Sequence, residues 1–129
     1  MTVKSITPAT LKTWLDAGKA VVVDVREPRE YAAEHIEGST LVPLGSLHPD
    51  ALPGHAGQKL VLLCRVGTRS SFGCRRIAGA ISGDIYNLEG GIKAWMNEGF
   101  PVFRFERSSP QEEGVPLMAK VMRFVSRFS

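Results

Sequence analysis

The 129-residue sequence predicts an α/β fold: a mostly parallel sheet with helices on both faces. Two runs, AVVVDV (20–25) and KLVLLC (59–64), are almost unbroken by polar residues, the pattern of strands covered on both sides. The stretches between and after them place apolar residues at helical spacing, and Gly or Pro marks the junctions. Strand and helix therefore alternate, and ligands in such sheets sit at the carboxyl ends of strands, where Asp24 and Cys64 fall.

In chain order, ITPATLKTWLDAG opens with Thr7 placed to cap a helix and Pro8 at its first position. Leu11, Trp14 and Leu15 follow at i, i+3, i+4, and Gly18 stands where the helix ends. After the first strand, EPREYAAEHIEG predicts a short helix, with Pro28 near its start and Gly38 beyond its end. STLVPL offers a brief strand, and GSLHPDALPGHAGQ a Gly/Pro-rich connection. Beyond KLVLLC, Cys74, Ile77, Ala78 and Ile81 share one helix face, closing near Gly83. DIYNL is a further short strand, and GGIKAWMNEG a helix with Ile92, Trp95 and Met96 on one face and Gly99 as its stop.

Residues 1–105 are thus expected to form one domain. The polar stretch ERSSPQEEGVP (106–116) reads as a linker. In 117–129, Leu117, Val121, Phe124, Val125 and Phe128 occupy one arc of a helical wheel, with Lys120, Arg123 and Arg127 opposite, so a basic amphipathic C-terminal helix is expected.

Composition excludes several classes. The formal charge of +3 comes from the tail: all thirteen acidic residues precede residue 117, whereas three of the sixteen basic ones follow it. With a neutral body and no basic stripe interleaved with aromatics, no nucleic-acid partner is expected. No window approaches the ~20 apolar residues of a membrane span. The N-terminus, MTVKSITPAT, lacks the marks of a secretory signal, so a cytoplasmic location is expected. Thirteen residues span only about 20 Å as a helix, too short to cross a bilayer. The tail is therefore expected to contact the domain, a protein partner or an anionic membrane surface.

The segment LVLLCRVGTRSSFG (60–73) carries the chemistry. It runs a buried strand into Cys64, then a loop with Arg65, Gly67, Thr68, Arg69, Ser70 and Ser71, then a helix. A cysteine reacts as thiolate, and at its ordinary pKa of about 8.5 only a few per cent is ionised near neutrality. A strand–loop–helix turn aims backbone N–H groups into a nest at the positive end of the helix dipole, and Arg65 and Arg69 add full charges. Lowering the pKa by two units needs about 2.7 kcal/mol of preferential stabilisation, within reach of a helix terminus and one close arginine. Such a sulfur is expected to be exposed. Gly67 lets the backbone curl around it, and Thr68, Ser70 and Ser71 are candidates to cap the helix or donate to a bound anion.

Two chemistries fit this nest: phosphoryl-type transfer through a phosphocysteine, and sulfur transfer through a persulfide. Cysteine phosphatases space the pair as Cys-x5-Arg, whereas Cys64 and Arg69 are Cys-x4-Arg and the next position is Ser70. The smaller loop suits a terminal sulfane sulfur better than a tetrahedral phosphoryl group, and no acid loop for an alkoxide leaving group is evident.

Three blocks together resemble the rhodanese family in its single-domain form: VVVDVREPREYAAEHIEGSTLVPL, CRVGTRS and LEGGIKAWMNEGFPV, in order across residues 3–103. The resemblance implies a five-stranded parallel sheet flanked by helices, and a thiosulfate sulfurtransferase type of activity. It implies that Cys64 takes a sulfane sulfur from thiosulfate or a related donor, holds it as a persulfide and passes it to cyanide or another thiophilic acceptor. The sulfur and donor would be bound by the loop Arg65, Val66, Gly67, Thr68, Arg69 and Ser70, with Arg69 orienting the donor's anionic end. Asp24, Arg26 and His35 match family positions that are structural near the site. No metal and no cofactor are implied, and the partners are a small-molecule sulfur donor and acceptor. The alternatives are a non-catalytic or regulatory module of the same fold recruited by its tail, and a cysteine phosphatase or arsenate reductase. Cys74 lies on the apolar stripe and is expected to be an inert core thiol. His35, His48 and His55 have no metal-ligand spacing with either cysteine.

Overall fold

The computed structural model describes residues 2–105, so the expected linker (106–116) and amphipathic helix (117–129) lie outside the described residues. The elements run β1 (Val3–Ile6), α1 (Pro8–Asp16), β2 (Ala20–Asp24), α2 (Pro28–Ala33), β3 (Glu34–His35), β4 (Thr40–Leu41), β5 (Lys59–Leu63), α3 (Thr68–Ile77), β6 (Ile85–Leu88), α4 (Gly91–Asn97) and β7 (Phe103–Arg104). Five strands form one parallel sheet in the order β1-β6-β5-β2-β4, while β3 and β7 make a separate antiparallel pair. This is the five-stranded parallel α/β architecture expected from the sequence.

Helix α1 starts where its residues dictate: Thr7 Oγ1 accepts from Thr10 N at 3.2 Å and Pro8 takes the first turn. Three differences from the sequence reading have local causes. Strand β1 has no apolar run of its own; VKSI is an edge strand, largely exposed, that pairs only with β6. Helix α2 stops at Ala33 rather than before Gly38, because Glu34 and His35 are extended to pair with Arg104 and Phe103 of β7. Helix α3 ends at Ile77, and its last turn tightens into a 3-10 turn over Ala78–Ala80.

Strand parity divides the core. Along β5, Leu60 and Leu62 point to the face covered by α3, where Val23, Ile77 and Ile81 pack. Val61 and Leu63 point to the other face, against Leu11, Ile92 and Trp95 from α1 and α4. Cys64 follows Leu62 by two residues and falls on the α3 face with Cys74. The next strand over ends in a buried ion pair. Arg26 Nη2 donates to Asp24 Oδ2 at 2.7 Å and Nε to Oδ1 at 2.9 Å, both side chains nearly inaccessible. A further bond from Arg26 Nη2 to Glu34 O, 2.7 Å, ties the end of β2 to β3.

Breaking that pair leaves a buried charge without a partner. Arg26→Leu is expected to destabilise the fold by about 3–5 kcal/mol in urea denaturation; a loss below about 1 kcal/mol would mean that water reaches Asp24.

Candidate active site

The loop between β5 and α3 closes on the Cys64 sulfur. Gly67 is the N-cap of α3 with φ 100°, a left-handed conformation that L side chains adopt only under strain, and its N–H donates to Cys64 Sγ at 3.1 Å. Ser70, one turn into α3, places its hydroxyl 3.3 Å from the same sulfur. Burial pushes the Cys64 thiol up, but the Ser70 hydroxyl and the amides of Ser70, Gly67 and Val66 outweigh it and hold the thiol below its ordinary value. The cradle is therefore selective for an anion.

The start of α4 fixes the first part of the loop. Ile92 N donates to Cys64 O at 2.9 Å and Lys93 N to Arg65 O at 3.0 Å. In a planar trans peptide the N–H opposes its C=O, so drawing two loop carbonyls toward α4 turns the following amides, those of Arg65 and Val66, away from it. Gly91 makes this approach possible, since a Cβ there would overlap the Arg65 and Cys64 carbonyls.

The expected exposure of Cys64 is corrected by the structure: the residue is 0% exposed. Its parity on β5 points it under α3, and the amides that favour its anion are the same groups that cover it. Arg65 is exposed, and Arg69 spends its fork on Glu30, with Nη1–Oε1 at 2.8 Å and Nη2–Oε2 at 3.0 Å. Neither hydrogen-bonds the sulfur. Of the hydroxyl residues, none caps α3. Ser70 turns inward, whereas Thr68 stays exposed and Ser71 accepts from Arg75 Nη1. Val66 is half exposed at the rim.

Asp24 and Arg26 bond each other and not Sγ. His35 stacks on Tyr31, ring centroids 3.8 Å apart, and its Nδ1 lies 2.8 Å from Tyr31 O. Cys74 is buried, and burial pushes its thiol up to about 12. Among the described residues no three His, Cys, Asp or Glu side chains gather to hold a metal, and no helix is long and apolar enough to cross a membrane.

Two residues escaped the sequence reading. Glu30 is the third residue of α2 and closes a capping box, its Oε1 accepting from Glu27 N at 3.0 Å; Glu27 and Glu30 stand at the spacing of that motif. Asn87 on β6 has its Nδ2 3.2 Å from Gly67 O, with no motif to announce it.

The family model for the rhodanese-like domain matches residues 7–98. An uncharacterized protein of Synechocystis sp. is 36% identical over 100 residues, covering 78% of this chain and 56% of that protein. The chain thus spans little more than half of that relative's length. Thiosulfate sulfurtransferase GlpE of Ectopseudomonas mendocina is 33% identical over 81 residues, covering 63% of this chain and 74% of its own. A crystal structure of a rhodanese-related protein from Thermoplasma volcanium superposes with a TM-score of 0.66 at 31% identity, covering 77% of this chain and 96% of that one.

Gly91→Ala is expected to push the loop carbonyls off α4, costing about 1–3 kcal/mol of stability and raising the Cys64 thiol toward its ordinary pKa, as read by ultraviolet thiolate absorbance. The Arg69 guanidinium holds the Glu30 carboxyl down at about 2, against 4.5 when free. A carboxylate so depressed contributes stability that is complete above its free pKa and fades as pH falls toward the folded one. Wild type is accordingly expected to exceed Glu30→Gln by about 1 kcal/mol above pH 4.5, and that margin to shrink between pH 4.5 and about 2. A margin independent of pH over that window would refute the ion pair.

Proposed function

Since the chain belongs to the rhodanese-like domain family, we propose that it is a sulfurtransferase whose nucleophile is Cys64 and whose donor is thiosulfate or a related sulfane compound. The thiolate attacks the sulfane sulfur, forming a Cys64 S–S bond while the donor's S–S bond breaks and sulfite departs with the electron pair. The lone pair of cyanide or another thiophile then forms a bond to the outer sulfur, and the Cys64 S–S bond breaks with its electron pair returning to Cys64 as thiolate. No outside oxidant or reductant enters, and no metal is needed to balance the cycle.

The observation that carries this reading is the sulfur's own coordination: the Gly67 amide at 3.1 Å, the Ser70 hydroxyl at 3.3 Å and a thiol held below its ordinary pKa. The exposed Arg65 and Val66 form the outer side of the loop over the sulfur. The loop length argues against phosphoryl transfer: Cys64 and Arg69 stand at Cys-x4-Arg, one residue shorter than the Cys-x5-Arg of cysteine phosphatases. The burial of Cys64 favours one competing reading, a binding module in which the thiol is unused.

Mass spectrometry separates the two. Incubation with thiosulfate is expected to add one sulfur atom to wild type and to Cys74→Ser, and none to Cys64→Ser, with sulfite released in equal amount. If no sulfane donor modifies the wild-type chain, the enzymatic reading falls and the module remains.

A further inference from the structure

Asn87 sits on β6, beside β5, with its side chain 8% exposed and turned to the underside of the cysteine loop. Its Nδ2 donates to Gly67 O at 3.2 Å, and its Oδ1 lies 2.5 Å from Ser70 Oγ. The first bond fixes the amide's orientation, because reversing it would press Oδ1 against a carbonyl oxygen. Oδ1 therefore faces Ser70 and can only accept.

One hydroxyl proton is thus presented with three acceptors: Asn87 Oδ1 at 2.5 Å, Cys64 Sγ at 3.3 Å and Gly67 O at 3.3 Å. While the sulfur is protonated, the shortest contact holds it. With the sulfur protonated every group is satisfied in series: Sγ–H donates to Ser70, Ser70 to Asn87, Asn87 to Gly67. An ionised sulfur has no proton to give. Ser70 can donate to it only by leaving Oδ1 unpaired against an oxygen lone pair.

We propose that Asn87 is a positioning residue for the reacting sulfur: by competing for the proton of Ser70 it weakens the hydrogen bond that this hydroxyl gives the thiolate, and so keeps Cys64 more basic than an undivided Ser70 would. This deepens the sulfurtransferase reading, on which its value for catalysis rests, because thiolate nucleophilicity falls as its basicity falls. The charged groups around the loop do not take the hydroxyl's place. Arg69 is committed to Glu30 and Arg26 to Asp24, while Arg65, Glu89 and Lys93 are exposed, and none of them bonds Sγ. Cys74, pushed up to about 12, remains protonated while Cys64 titrates.

The test is the ultraviolet thiolate absorbance of the full chain against pH, for wild type, Asn87→Leu, Ser70→Ala and the double variant. Asn87→Leu, close in shape but unable to accept, is expected to lower the Cys64 midpoint by about one unit, a tenfold gain in ionised fraction below it. Ser70→Ala is expected to raise the midpoint, and Asn87→Leu to have no further effect in that background. A midpoint that rises or stays put in Asn87→Leu, or that shifts equally with and without Ser70, overturns the proposal and leaves Asn87 a brace for Gly67. Should Asn87→Leu not fold, the wild-type side-chain amide of Asn87 is read by NMR. Its signals should titrate with the Cys64 midpoint and lose that titration in Ser70→Ala; signals blind to Cys64 ionisation overturn the proposal equally. Failure of sulfur transfer would show separately, as no mass gain with these midpoints intact.

Discussion

Two hydrogen bonds from the first turn of α4 to the carbonyls of Cys64 and Arg65 are the contacts on which the site depends. They orient the peptide groups that carry the Arg65 and Val66 amides, at the entry to the turn that closes on the sulfur. They also make the second half of the domain part of the site. The Gly90–Gly91 pair, both at positive φ, starts α4 where it can reach those carbonyls, and Trp95 and Ile92 in the core hold the helix there. The site is built by packing on one face of the sheet and used on the other.

The electrostatics follow from short-range groups rather than from full charges. Removing an anion from water costs several kcal/mol, and hydrogen bonds to a charged acceptor return about 1.5–3 kcal/mol each. Several amides and one hydroxyl are enough to tip the balance, which is why the Cys64 thiol lies below its ordinary pKa although burial opposes it. Cys74 shows the control. It is equally buried in the same cluster, but its Sγ–H donates to the Tyr86 carbonyl, at 3.6 Å, and burial pushes its thiol up.

Much of this was legible in the residues. The runs at 20–25 and 59–64, the Thr7–Pro8 cap and the apolar stripes of α3 and α4 each identify an element, because local pattern and tertiary role agree there. Strand β1 was not legible, since an exposed edge strand needs no apolar run and Val3–Ile6 is recognised only by its partner β6. In the site, Cys64, Gly67 and Ser70 stood out as a loop motif. The roles of the arginines did not follow from it, because a sequence shows charge without showing what neutralises it, and Glu30 lies on a different helix. Asn87 was illegible for a similar reason: its meaning comes from the carbonyl and hydroxyl it faces across strands.

Strand parity carries a consequence for how such a domain is made. Cys64 shares its side of the sheet with Leu60 and Leu62, so slipping β5 by a single position would deliver the thiol beneath Trp95 and hand a leucine to the cradle. The register of the central strand alone therefore decides whether the loop closes on sulfur or on an aliphatic side chain.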